Sequence, residues 1–132
     1  MTEITPKPSV GLRAAFEAER ARRDAERRAR EEAERRQQEE DLGRAEALER
    51  LLAEDLPFLQ SKGLTLDRRR YTVTLEHPDF KLTAYFEGGQ ASVRSADKRT
   101  AISGAAPRKE TLVGSVEDAL LVMAQYLADE GA

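Results

Sequence analysis

The chain has 132 residues, no cysteine, one histidine, 36% charged residues and a net charge of −3. That length suits one small domain with an appendage, and the missing cysteine excludes a disulfide framework, a thiolate metal site and a thiol nucleophile. No apolar run approaches the roughly 18 residues needed to span a bilayer, and the opening MTEITPKPSVGL lacks the basic and apolar regions of a secretory signal, so the expected location is cytoplasmic.

The mild average charge hides segments of opposite sign. Residues 13–40 carry nine Arg against nine Asp or Glu, whereas residues 41–60 sum to −3, residues 61–109 to +5 and residues 110–132 to −5.

Residues 1–11 read as a disordered lead, because Pro6 and Pro8 oppose helix and Ser9 can cap a helix beginning just after it. Residues 12–43 read as a charged helix. From Arg13 to Asp41 there is no Gly or Pro, and before the closing Asp41 only Phe16 and Asp24 are not strong helix formers. Acid-first pairs at i,i+4 recur, as in Glu19–Arg23, Asp24–Arg28, Glu26–Arg30, Glu31–Arg35 and Glu32–Arg36, and the reverse order occurs in Arg22–Glu26. At 1.5 Å per residue this helix would reach on the order of 40 Å.

Three roles compete for it. Polyanion binding needs a basic excess to neutralise phosphates, which interleaved acids deny. A membrane-surface helix needs a broad apolar face, and alanines alone follow Phe16. Helical pairing has a basis in the stripe Ala14, Ala18, Ala21, Ala25, Ala29 and Ala33, spaced close to one helical turn. Alanine buries little area, so self-association through this face would be weak. The charge pattern makes the helix first a solvated strut and second a partner-binding helix.

Residues 44–132 read as a small α+β domain. Leu48, Leu51, Leu52, Leu56 and Leu59 form an amphipathic stripe, giving a helix near 44–55 with a further turn to about residue 61. Pro57 ends or kinks it and Gly63 stops it. Continuity with the first helix through Gly43 stays open, since one Gly costs only about 1 kcal/mol.

The period then changes to two. YTVTLEH places Tyr71, Val73 and Leu75 on one face; FKLTAYF places Phe80, Leu82, Ala84 and Phe86 there; QASVRS adds Ala91 and Val93. HPD and EGGQ join these strands, Gly88-Gly89 being a strong hairpin signal. RTAIS near 99–103 is a weaker strand, Leu64–Leu66 a further short one, and GAAPRKETLVG a loop. A final helix comes last, with Ser115 as N-cap, Asp118 three residues on, a buried stripe of Val116, Leu120, Met123, Ala124 and Leu127, and Gly131 as the stop.

The expected fold is therefore α+β: a long charged N-terminal helix, then a two-layer domain of three to four antiparallel strands packed against an amphipathic helix and a C-terminal helix.

Few residues point to chemistry. His77 stands in EHPDF between Glu76 and Asp79, but a tight turn need not converge its side chains, and no second histidine completes a zinc set. EGGQ lacks the Lys and Ser or Thr of a phosphate loop. The outer sheet face offers Thr72, Thr74, Thr83, Tyr85, Ser92 and Arg94, beside the only basic segment. Polyanion contacts there would be Arg68, Arg69, Arg70, Arg94, Lys98 and Arg99, although one tyrosine is thin for a stacking platform. An ordinary solvated face whose basic groups answer the acidic helices is favoured.

No catalytic, cofactor or metal residue emerges. The functional expectation is a non-enzymatic adaptor with an unidentified protein partner, its α+β module spaced or docked by the charged helix. The alternatives are a small RNA- or ribosome-associated protein using residues 61–109, and a small-ligand sensor with a pocket between sheet and helices.

Overall fold

In the computed structural model of the chain, residues 11–99 and 106–131 are described. The lead expected over residues 1–11 lies outside them apart from Gly11, as does the strand expected near 99–103 apart from Arg99. The elements are α1 (Leu12–Ala53), α2 (Leu56–Ser61), β1 (Thr65–Arg69), β2 (Thr72–Glu76), β3 (Phe80–Glu87), β4 (Gln90–Asp97), β5 (Ala106–Val113) and α3 (Val116–Asp129). The chain divides into two units, Met1–Arg36 and Gln37–Ala132.

The described part of the first unit is helix. Leu12 and Phe16 are exposed, and so is every alanine of the stripe from Ala14 to Ala33. Ion pairs run along the surface: Arg13–Glu17 at 3.2 Å, Arg23–Glu19 at 2.9 Å, Arg22–Glu26 at 2.7 Å and Arg36–Glu32 at 3.8 Å. Pairs at i,i+3, Asp24–Arg27 at 3.1 Å, Glu19–Arg22 and Glu32–Arg35, join them. Hydrogen bonds from Arg22 and Arg23 hold the Glu19 carboxyl down to about 2.

The second unit holds the core. α1 continues through Gly43, and from Asp41 onward its buried positions are Asp41, Ala45, Leu48 and Leu52, spaced four, three and four apart. That one face turns sheetward, and burying each Leu contributes about 1.5–3 kcal/mol. α1 stops at Ala53 because Pro57 cannot continue it. Pro57 instead opens α2, which ends in a Schellman motif: Gly63 at φ +72°, Gly63 N–H donating to the Gln60 carbonyl at 3.1 Å, and Leu64 N–H donating to the Leu59 carbonyl at 2.9 Å. Leu59 and Leu64, the apolar pair of that motif, are both buried.

The sheet is an antiparallel meander in the order β1-β2-β3-β4-β5. Five strands replace the expected three to four. β1 carries the expected Leu64–Leu66 strand on to Arg69, and β5 forms within GAAPRKETLVG, which reads as a loop because its inward positions Lys109 and Thr111 are polar. The registers Val73↔Ala84, Leu75↔Leu82, Ala84↔Val93 and Phe86↔Ala91 put one apolar row under the helices. Phe86, Leu48, Leu82, Met123, Val73 and Val93 are the largest fully buried side chains.

The β3–β4 turn is held by α1. Gly88 and Gly89 have φ of +62° and +82°, as a primed hairpin turn requires. Their N–H groups point to one side and donate to the Asp41 carboxylate at 2.8 and 3.2 Å. Gln37 Nε2 at 3.1 Å and Arg44 Nη2 at 2.7 Å complete its shell. Burial pushes this carboxyl up, but the bonds from Arg44, Gly89, Gln37 and Gly88 outweigh it and hold Asp41 below the usual carboxylate range.

α3 is capped as its sequence predicts. Ser115 Oγ accepts from Asp118 N–H at 3.0 Å, while the Asp118 carboxylate turns to Gly114 N–H at 3.4 Å. Its buried face differs from the expected stripe: Ala119, Met123, Tyr126 and Leu127 are buried, whereas Ala124 is exposed and Val116 and Leu120 are half-buried. The cause is Tyr126, whose hydroxyl hydrogen-bonds Thr111 Oγ1 on β5 and rolls the helix toward that edge.

Candidate functional site

The roll of α3 leaves a groove on its other side. Leu75 of β2 and Met123 of α3 form the floor. Leu52 ends one wall, Phe58 and Leu59 of α2 extend it, and Leu120, Ala124 and Leu127 of α3 make the other. The cavity is about 200 Å³, and Asp55 at its mouth is the sole polar residue lining it. Leu120, Met123, Ala124 and Leu127 are at i, i+3, i+4 and i+7, the row an α-helix presents to a partner in a groove.

Phe58 is 49% exposed at the rim, with Leu56 41% exposed beside it. A helix of six residues has one inward face, and Leu59 occupies it. The segment LPFL therefore carries more apolar surface than α2 can bury. Asp55 and its neighbour Glu54 are exposed and have no ion-pair partner among the described residues. The groove is thus an apolar trough with Asp55 at its mouth and, at its rim, the Lys62 ammonium 5.8 Å over the Phe58 ring. Its chemical complement is a short apolar row carrying a cation.

This site was missed in the sequence because the leucines of 48–59 and Ala124 read as core. The signal that could have found it is the apolar excess around Pro57.

The outer sheet face is open, as expected from the alternation. Tyr85 lies under the Arg94 guanidinium at 4.4 Å, and Arg94 pairs with Glu110 at 2.9 Å. With Ser92, Gln90 and the exposed Leu112 they frame a shallow depression of about 290 Å³. Thr83 and Ser92 are buried on this face, Thr83 between Thr74 and Arg94 and Ser92 between Tyr85 and Leu112.

The six proposed polyanion contacts do not converge. Arg68 lies on the inner face and pairs with Glu49 of α1 at 2.6 Å, with Glu46 at 4.0 Å. Arg69 pairs with Asp67 at 3.1 Å, and Arg70, at φ +55°, covers the Tyr71 ring at 4.9 Å. Arg94 faces outward, bonded to Glu110. Lys98 donates to Glu76 at 2.7 Å and to the His77 carbonyl at 2.8 Å. Arg99 pairs with Asp97 at 2.9 Å and Glu130 at 2.7 Å. The contacts of Arg68, Arg99 and Lys109, the last to Asp129 at 2.6 Å, are basic strand and turn groups answering the acidic helices.

His77 does turn chemistry. Its Nδ1 accepts from Asp79 N–H at 3.0 Å, and its ring stacks on Phe80 with centroids 4.4 Å apart. The EGGQ turn has its N–H groups occupied by Asp41, so the anion it cradles is the chain's own carboxylate. Among the described residues no group of three or more His, Asp or Glu side chains stands where it could hold a metal ion. No helix among them is long and apolar enough to cross a membrane.

No family model, no curated protein and no solved structure matches this chain.

Proposed function

We propose that this protein is a non-enzymatic adaptor whose α+β unit receives an amphipathic helix of a protein partner in the α2–α3 groove, while the charged helix before Gln37 serves as a carried arm. The observation that carries the reading is the groove itself: an apolar trough left open beside a complete core, with Phe58 at its rim and, at its mouth, Asp55, which has no ion-pair partner among the described residues. Exposed apolar surface rimmed by polar groups marks interaction sites. The arm supports the same reading, because its ion pairs are internal and none of its side chains contributes to the core.

The test is a fluorescence-anisotropy titration of the full chain with a designed labelled helix carrying Leu and Phe at i and i+4 and Arg at i+8. The expected result is saturable binding that weakens at least about tenfold with Ala124→Glu, a change worth about 1.4 kcal/mol. Absence of binding, or equal affinity in that variant, would overturn the reading.

A second reading, a sensor for a small apolar ligand, draws on the same cavity of about 200 Å³. It predicts that a small hydrophobic cation binds while the designed helix does not.

A further inference from the structure

We infer that the helix received by this groove is the start of α1 from a second copy of the chain; the inference rests on the groove being the partner site. Leu12 is 86% exposed and Phe16 57% exposed, and they are the only large apolar side chains of the arm from Leu12 to Arg36. They stand at i and i+4, the spacing by which an amphipathic helix sets its anchors in a groove.

Arg20 follows one turn later on the same face. Among the described residues it has no acidic partner, whereas its neighbours Arg13, Arg22 and Arg23 are all paired. The arm thus presents an apolar pair followed by a free cation. The groove presents the complement, an apolar trough and the carboxylate of Asp55, which has no ion-pair partner among the described residues. Because Leu12 and Phe16 are exposed in their own chain, the occupant of the groove is the arm of another copy.

Two anchors make a small contact, under the roughly 1,200 Å² of a stable interface. A single arm in a single groove therefore binds weakly. Two copies that exchange arms make the contact twice and close the assembly as a two-fold dimer.

The experiment is sedimentation equilibrium of the full chain from about 10 µM to about 1 mM, a range that spans micromolar to millimolar affinity. Wild type is expected to rise from one chain to two across the series. Phe16→Glu on the arm and Ala124→Glu in the groove should each weaken association at least about tenfold. Both positions are exposed, and unchanged thermal melting shows that neither variant acts by unfolding.

Mixing the two variants pairs one intact groove with one intact arm and should give a mixed dimer weaker than that of the wild type and tighter than that of either variant alone. Arg20→Glu should also weaken association, and adding Asp55→Arg should restore it. A wild type that stays a monomer throughout, or a dimer indifferent to Phe16→Glu, overturns the inference. A dimer lost with Ala124→Glu but kept with Phe16→Glu overturns it too, and leaves the groove standing as a partner site with a different occupant.

Discussion

Asp41 is the residue whose removal tests the clamp between α1 and the β3–β4 turn most directly. It is 2% exposed, and its carboxylate accepts from two turn N–H groups, one amide and one guanidinium. Hydrogen bonds to a charged group contribute about 1.5–3 kcal/mol each, and breaking a buried pair costs about 3–5 kcal/mol. The turn glycines are exposed and can bind water instead, which discounts those figures. Arg44 cannot compensate fully, since its Nε is already buried without a partner among the described residues. Asp41→Ala should therefore lose about 3 kcal/mol, or roughly 12–24 °C in melting temperature for a unit of this size.

The assay is urea denaturation followed by tyrosine fluorescence. All three tyrosines, Tyr71, Tyr85 and Tyr126, lie in the second unit, so the arm is silent. The pH dependence has a definite sign. The folded carboxyl is held below its ordinary value, so its contribution is full above about pH 4 and fades as pH falls through the folded value. The stability gap between wild type and Asp41→Asn should narrow below about pH 4. A loss under about 1 kcal/mol for Asp41→Ala, the typical net contribution of one hydrogen bond, or a gap that widens in acid, would refute this account of the clamp.

Other substitutions test the neighbouring claims. Gly89→Ala should cost about 1–2 kcal/mol by urea denaturation, because φ is +82° and the new methyl meets the Gln37 side chain at 3.4 Å. Gly88→Asn should cost less, since Asn tolerates the left-handed region and nothing lies within 4 Å of the added Cβ. Leu48→Ala should cost about 2–5 kcal/mol in the same assay, as a core position, while Ala25→Ser on the arm should leave the tyrosine transition unmoved. Ser115→Ala should cost about 1 kcal/mol through the lost cap. Arg68→Glu should destabilise by about 1 kcal/mol, because it faces Glu49 and Glu46; salt-dependent RNA binding lost in that variant without destabilisation would instead favour the nucleic-acid reading.

Much of the fold was legible because local and global signals agreed. The alternation named the inward positions Val73, Leu75, Phe80, Leu82, Ala84 and Phe86 correctly, although Tyr71, expected in the same row, lies before β2 and outside the core, and Gly88-Gly89 marked the turn that pins their register. β5 was not legible, for a physical reason. Two of its inward positions, Lys109 and Thr111, are polar and satisfied by α3, through Asp129 and the Tyr126 hydroxyl, and only Val113 packs on the core, while its outward Leu112 is 76% exposed. An edge strand held so largely by side-chain hydrogen bonds hides its hydropathy alternation. The same Tyr126 contact rolled α3 away from its expected stripe and opened the groove, so one polar pair hid both β5 and the site. Asp41 read as one more charge on a charged helix. Only contact with a turn 47 residues away distinguishes it.

The most direct measurement of the central claim uses Met123, which lies in the groove floor, as a ¹³C-methyl NMR reporter in the full chain. During titration with the designed Leu–Phe–Arg helix, the Met123 methyl should shift progressively and saturate. A Met123 signal that stays fixed while the helix binds would place the partner elsewhere on the protein and contradict the account.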